Sequence, residues 1–135
     1  MTLEILYGIV CATTAAPLLW SRGQIQRFLS LTPVIADRQG LERYRTVARK
    51  AIYAPMVSVI AETVAAVLGF LLVRREGWVA LGPVLFATLV LVVLRKSHDG
   101  AERRALAVAV NGEGLEDEHR RAHDAWAARQ LERLT

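Results

Sequence analysis

One apolar segment constrains this chain more than any other feature. Between Ala51 and Val73 the only ionisable side chains are Tyr53 and Glu62. A helix of that length reaches about 34 Å at ~1.5 Å per residue, enough to cross a ~30 Å hydrocarbon core with some tilt. Pro55 falls in its first turn, where a missing N–H does little harm. Arg74, Arg75, Gly77 and Trp78 follow, and Arg and Trp are residues of the membrane–water interface.

A second run, 78–94, holds no ionisable group after Trp78 and is closed by Arg95. Its LVLVVL stretch is β-branched enough for a strand, but its length and its arginine flanks fit a span better. The segment 3–20 is less apolar, being interrupted by Cys11, Thr13, Thr14 and Pro17. Its opening, MTLEILYG, has no basic residue, and the basic residues come after the apolar run, the reverse of a secretory signal. It is read as a retained, rather short first span. Hydrophobic residues make up 53% of the chain and charged ones 22%, and both figures coexist because the two kinds are segregated into blocks. The expected fold class is therefore all-α, an integral membrane helical bundle. It has three transmembrane helices, a cytoplasmic interfacial helix and a C-terminal helix. Residues 1–95 form the membrane domain and 96–135 a cytoplasmic helical tail.

Charge suggests an orientation. The connector 21–50 holds Arg22, Arg27, Arg38, Arg43, Arg45, Arg49 and Lys50 against Asp37 and Glu42. The start of the tail adds Arg95, Lys96, Arg103 and Arg104, whereas the loop between the second and third spans has only Arg74 and Arg75. The positive-inside rule then places the N-terminus outside and the C-terminus in the cytoplasm, in the inner (cytoplasmic) membrane. The basic balance is accounted for by this topology, so no nucleic acid partner is inferred.

Within the connector, Thr32, Pro33 and Gly40 read as N-cap, first helical residue and stop of a short turn. After them, Leu41, Tyr44 and Val47 or Ala48 share one helical face, with arginines around the other. Two readings stand: a helix lying in the membrane surface, or a lipid-headgroup or anion site built from Arg43, Arg45, Arg49 and Lys50. In the tail, acids cluster early (Glu113, Glu116, Asp117, Glu118) and Arg129 and Arg133 come late, an order that suits the helix dipole. Leu115, Ala122, Trp126, Leu131 and Leu134 give it a partial apolar face.

Glu62 sits at the midpoint of its span, where an uncompensated charge costs roughly 2.5–3.5 kcal/mol on insertion scales. Lys50 and Arg74 on the same helix are each about 18 Å away at ~1.5 Å per residue. With Arg95 counted as a flank of the third span, no cation lies at the depth of Glu62. Hydroxyls do: Thr13, Thr14, Ser58, Thr63 and Thr88. Glu62 is thus expected to be protonated and hydrogen bonded to Thr13, Thr14 or Thr88, with a proton, cation or catalytic role as the other reading. Small residues recur at Gly8, Ala12, Ala16 and at Ala61, Ala65, Gly69, a spacing that lets helices approach closely.

Other motifs are sparse. His119 and His123 stand four residues apart with Glu116 one turn earlier, but His98 is the only further histidine, so the sequence assigns no metal site. Cys11 is alone, and no glycine-rich phosphate loop or serine elbow occurs. No cofactor is indicated. The tail NGEGLEDEHRRAHDAWAARQLERL resembles the Asn…Trp…Arg segment of anthrone-oxygenase-like small membrane proteins, with Asn111, Trp126 and Arg129 or Arg133 at the matching positions. That resemblance implies an enzyme acting on a lipid-soluble substrate. The reading placed ahead of it is an accessory, assembly or stabilising subunit of a larger membrane complex. Its partners would be membrane lipids and other membrane protein chains or copies of itself. A proton-coupled carrier or holin-like oligomer is a further alternative.

Overall fold

The computed structural model describes residues 2–134. It is all-helical: α1 (Leu3–Leu31), α2 (Arg38–Glu76), α3 (Trp78–Leu106) and α4 (Glu116–Ala127), followed by a 3-10 turn at Leu131–Leu134. Helices α1, α2 and α3 are each long and apolar enough to cross a membrane. They form an up–down–up bundle in which α1 packs against both of the others.

Each expected span is one part of a longer helix. α1 runs past Trp20 to Leu31, carrying Pro17 inside it, and α3 runs past Leu94 to Leu106. The separate interfacial helix expected in the connector does not form. Residues 38–50 are the first turns of α2, with no break before Ala51. The capping residues lie at the opposite ends from those expected. Thr32 closes α1, its N–H bonding the Phe28 carbonyl at 2.8 Å, and Asp37 is the N-cap of α2, its carboxylate accepting from Gly40 N at 2.7 Å. Gly40 thus opens a helix and does not stop one.

Leu41, Tyr44, Val47 and Ala48 do share a face, but they are buried in protein and not in lipid. They belong to a compact core at the basic end of the bundle. It includes Ile25 and Phe28 of α1, Ala101 and Ala105 of α3, and Leu115, Ala122, Trp126 and Leu134 of the tail. Leu131 packs against its edge. Tyr44 is its hub, with ring centroids 6.0 Å from Phe28, 5.1 Å from His119 and 5.2 Å from Trp126. Ile35 bridges to the segment after α3: its N–H bonds the Ala109 carbonyl and its carbonyl accepts from Asn111 N. Both basic regions of the chain therefore lie together at one end.

The other half of the bundle is built differently. Ile9, Ile60, Phe70, Val79, Leu85, Phe86 and Leu89 are exposed along the apolar stretches of the three helices. One end buries its apolar residues as a protein in water does, and the other shows them outward as a chain in lipid does. At the far tip, Gly77 joins α2 to α3 alone, with φ 67° and ψ −140°, a left-handed conformation open to glycine at little cost.

Candidate functional site

Glu62 is not alone at its depth. Its Oε2 lies 2.6 Å from Arg95 Nη2, so the expected neutral carboxyl bonded to a hydroxyl is replaced by an ion pair between α2 and α3. The reason is geometric. Measured from the one-residue turn at Gly77, Glu62 is about 22 Å down α2 and Arg95 about 27 Å down α3, at ~1.5 Å per residue. An arginine side chain closes a gap of that size by reaching back along its own helix. The pair is half-open, with side-chain exposures of 40% for Glu62 and 33% for Arg95.

The hydroxyls expected to serve Glu62 are used elsewhere. Thr13, Thr14, Thr63 and Thr88 each donate to a carbonyl one turn back on their own helices, those of Ile9, Val10, Val59 and Val84. Ser58 crosses between helices and donates to the Thr14 carbonyl at 3.2 Å in a buried contact. Ser58, Ala65 and Gly69 of the expected stripe are buried, with Glu62 at its edge. The matching α1 stripe does not meet them, because Gly8, Ala12 and Ala16 are exposed.

Above the ion pair, toward Gly77, the three helices meet around an open-sided gap. They leave a cleft of about 330 Å³ lined by Tyr7, Glu62, Ala65, Gly69, Thr88 and Leu91. A further cleft of about 350 Å³, sharing Tyr7 and Val84 with the first, continues past Glu4 and Pro83. The walls of the first cleft are mostly apolar, with Glu62 of the ion pair at the end nearer the basic core, and Glu4 and Glu76 line the second.

A second polar cluster ties the tail to the bundle. Glu102, on α3 and nearly buried, accepts two bonds from Arg129, at 2.5 and 2.8 Å, and one from Trp126 Nε1 at 3.4 Å. Arg129 also donates to the Ala51 carbonyl of α2 at 3.5 Å. Its φ of 57° is left-handed, which costs roughly 1–2 kcal/mol in an L-residue. It is the left-handed residue of the cap that ends α4, where Gln130 N bonds the Ala125 carbonyl at 2.8 Å and Arg129 N the Trp126 carbonyl at 3.0 Å. One turn before Glu102, the buried His98 shares a 2.8 Å hydrogen bond through Nε2 with Ser21 of α1, while its Nδ1 makes no hydrogen bond and stands 4.0 Å from Asp99 Oδ1. His98, Asp99 and Glu102 offer ligand atoms within 4.8 Å of one another, but a cation there would compete with Arg129 for Glu102. Sequence reasoning missed this cluster: His98 and Glu102 stand one turn apart on α3, but Ser21 and Arg129 come from distant parts of the chain and share no period with them.

The basic candidates divide. Arg45 is taken up by Glu42 at 3.1 Å and Glu118 at 3.4 Å, and Arg38 joins Glu118 at 3.0 Å, fastening α4 to α2. Arg43 and Lys50 line an open groove between α1 and α2, and Arg49 lines a smaller cleft beside it. Of the positions in the anthrone-oxygenase-like resemblance, Trp126 and Arg129 meet on Glu102. Asn111 is exposed, and Arg133 bonds Gln130. In the tail, burial and the nearby His123 hold the His119 imidazole below its ordinary pKa. Burial and the charge of Asp124 push the Tyr44 phenol well above its ordinary range.

No protein-family model, curated protein or solved structure matches this chain. What stands is the class the fold defines: an all-helical bundle with three helices able to span a membrane and a packed, charged end built from both basic regions.

Proposed function

We propose that the protein is an accessory or assembly subunit of a larger membrane complex, inserted in the inner membrane with its N-terminus outside and its basic end in the cytoplasm. One observation carries this reading. The intramembrane acid, which would otherwise be the leading reactive group, is neutralised within the chain by Arg95. At the same time the small face of α1, Gly8, Ala12 and Ala16, stays uncovered in the apolar half, where small residues favour helix–helix contact. The tail, fastened by Arg129 and Glu118, gives the cytoplasmic end a fixed surface on which a partner can seat.

The reading is tested by purifying the full chain from its native membrane in mild detergent, with and without chemical crosslinking. A partner chain should co-purify in fixed ratio. Gly8→Leu with Ala12→Leu should lose it while the protein itself stays folded. A solitary monomer after crosslinking would overturn the subunit reading. Orientation is tested separately, since a reporter fused after Thr135 should read as cytoplasmic.

A second reading, a site for a lipid-soluble molecule with one polar end, is favoured by the cleft among α1, α2 and α3. Its apolar walls lead to a half-exposed ion pair that hydrocarbon solvates poorly. Under this reading a polar group of the molecule covers Glu62 and Arg95. Glu62→Gln would then abolish turnover or binding even in the fraction of the protein that stays folded.

A further inference from the structure

We propose that the seam between α1 and α2 binds one anionic phospholipid, with an acyl chain in its apolar groove, the phosphate at Lys50 and the headgroup beyond it toward Arg27 and Arg43. Three clefts lie along this seam and share residues end to end. The one within the apolar half is about 470 Å³, walled by Thr13, Ala16, Pro17, Trp20, Tyr53 and Val57. Trp20 and Tyr53 also line the next, of about 300 Å³, together with Lys50. Lys50 then opens the third, of about 480 Å³, where Gln24, Arg27, Arg43 and Thr46 supply polar groups. The sequence of surfaces is apolar, then aromatic, then basic, which is the profile of a phospholipid from chain to phosphate. Trp20 and Tyr53 are half-exposed at the change-over, the depth at which aromatic residues sit among headgroups.

The charges in the upper groove are free to act. Among the described residues, none of Arg27, Arg43 and Lys50 is in an ion pair with a carboxylate. Lys50 donates to the neutral Gln24 Oε1 at 3.1 Å and stands 5.5 Å over the Trp20 ring. The one acid in the groove, Glu42, is turned to Arg45. Lys50 and Gln24 mark the membrane end of the groove, where a phosphodiester would sit. Arg43 lies two turns further along α2 and reaches the rest of the headgroup. A guanidinium and an ammonium that lack a carboxylate are what phosphate oxygens recognise, and each basic group near an anionic leaflet adds to the attraction.

The phosphate chemistry is shared by a free anion, so the test separates the two sources. The full-length protein in detergent micelles is titrated with dioleoylphosphatidylglycerol, dioleoylphosphatidylcholine or inorganic phosphate, and bound species are counted by native mass spectrometry. One phosphatidylglycerol should be retained per chain, about tenfold more tightly than phosphatidylcholine. Lys50→Gln with Arg43→Gln should remove that preference, and Arg27→Gln, on the other helix, should weaken it. Arg120→Gln, the same charge change on α4 away from the groove, should leave it intact. Ala16→Phe, which fills the acyl groove, should lower phosphatidylglycerol retention and leave phosphate unaffected. Equal retention of the two lipids, or equal damage from Arg120→Gln, overturns the proposal. So does inorganic phosphate binding as tightly as the lipid with Ala16→Phe silent, which would leave an anion site without a lipid.

Discussion

Arg95 and Glu62 meet across α3 and α2, with Nη2 and Oε2 2.6 Å apart inside the apolar half of the bundle. Neither residue is stable there without the other, because each would be a lone charge away from bulk water. Glu62→Gln should destabilise the protein by about 1–3 kcal/mol, since Gln keeps the shape but leaves the guanidinium without its counter-charge. Adding Arg95→Gln should recover part of that loss. Unfolding in mixed micelles of the single and double variants measures the coupling, and strictly additive losses would mean that the pair does not hold α2 to α3.

Arg129 should matter more than its exposed position suggests. Arg129→Ala leaves the Glu102 carboxylate buried with only Trp126 Nε1 as a donor, at a cost of roughly 2–4 kcal/mol. Arg129→Lys restores charge but not the two-pronged contact, and should recover less than half. The readout is protease cleavage in 107–115, which should rise steeply for Ala, less for Lys, and stay at the wild-type rate if the tail docks by its apolar face alone.

His119 gives the docked tail a pH dependence. Its folded pKa lies below the unfolded value, so the unfolded chain takes up the proton first as pH falls. The contribution of His119 is fully present above about pH 6.5 and is lost as pH drops from there through the lowered folded value. Tail protection against protease should therefore weaken on acidification. In His119→Gln that part of the pH dependence should be missing, and an unchanged profile would assign it to other groups.

Gly69 marks a close approach of the helices in the apolar half. A Cβ there would lie 3.3 Å from Tyr7 Cε2 and 3.3 Å from Val84 Cγ1, so α1 and α3 both crowd this point of α2. Gly69→Ala should be tolerated through small side-chain shifts. Gly69→Leu should wedge the helices apart and cost about 1–3 kcal/mol, seen as a lower melting temperature in detergent.

The sequence by itself determined which stretches are apolar enough to meet lipid and which are charged enough to meet water. That information is local: a run without charges, a block of arginines or an apolar face at helical spacing is the same whatever the rest of the chain does. Hence the three apolar helices, the grouping of 21–50 with 95–135 and the apolar face of the tail could all be read directly. Tertiary structure alone decided the partners. Glu62 found Arg95 and not a threonine because α2 and α3 fold back on the one-residue turn at Gly77, which sets their relative depth, and because an arginine reaches several ångströms along its helix. Leu41 and Tyr44 turned to protein and not to lipid because Trp126 and Leu134 arrive from the far end of the chain to cover them. Glu102 and Arg129, Ser21 and His98 leave no periodic trace, since a contact between distant residues depends on depth, rotation and reach together, and none of these is fixed until the helices have packed.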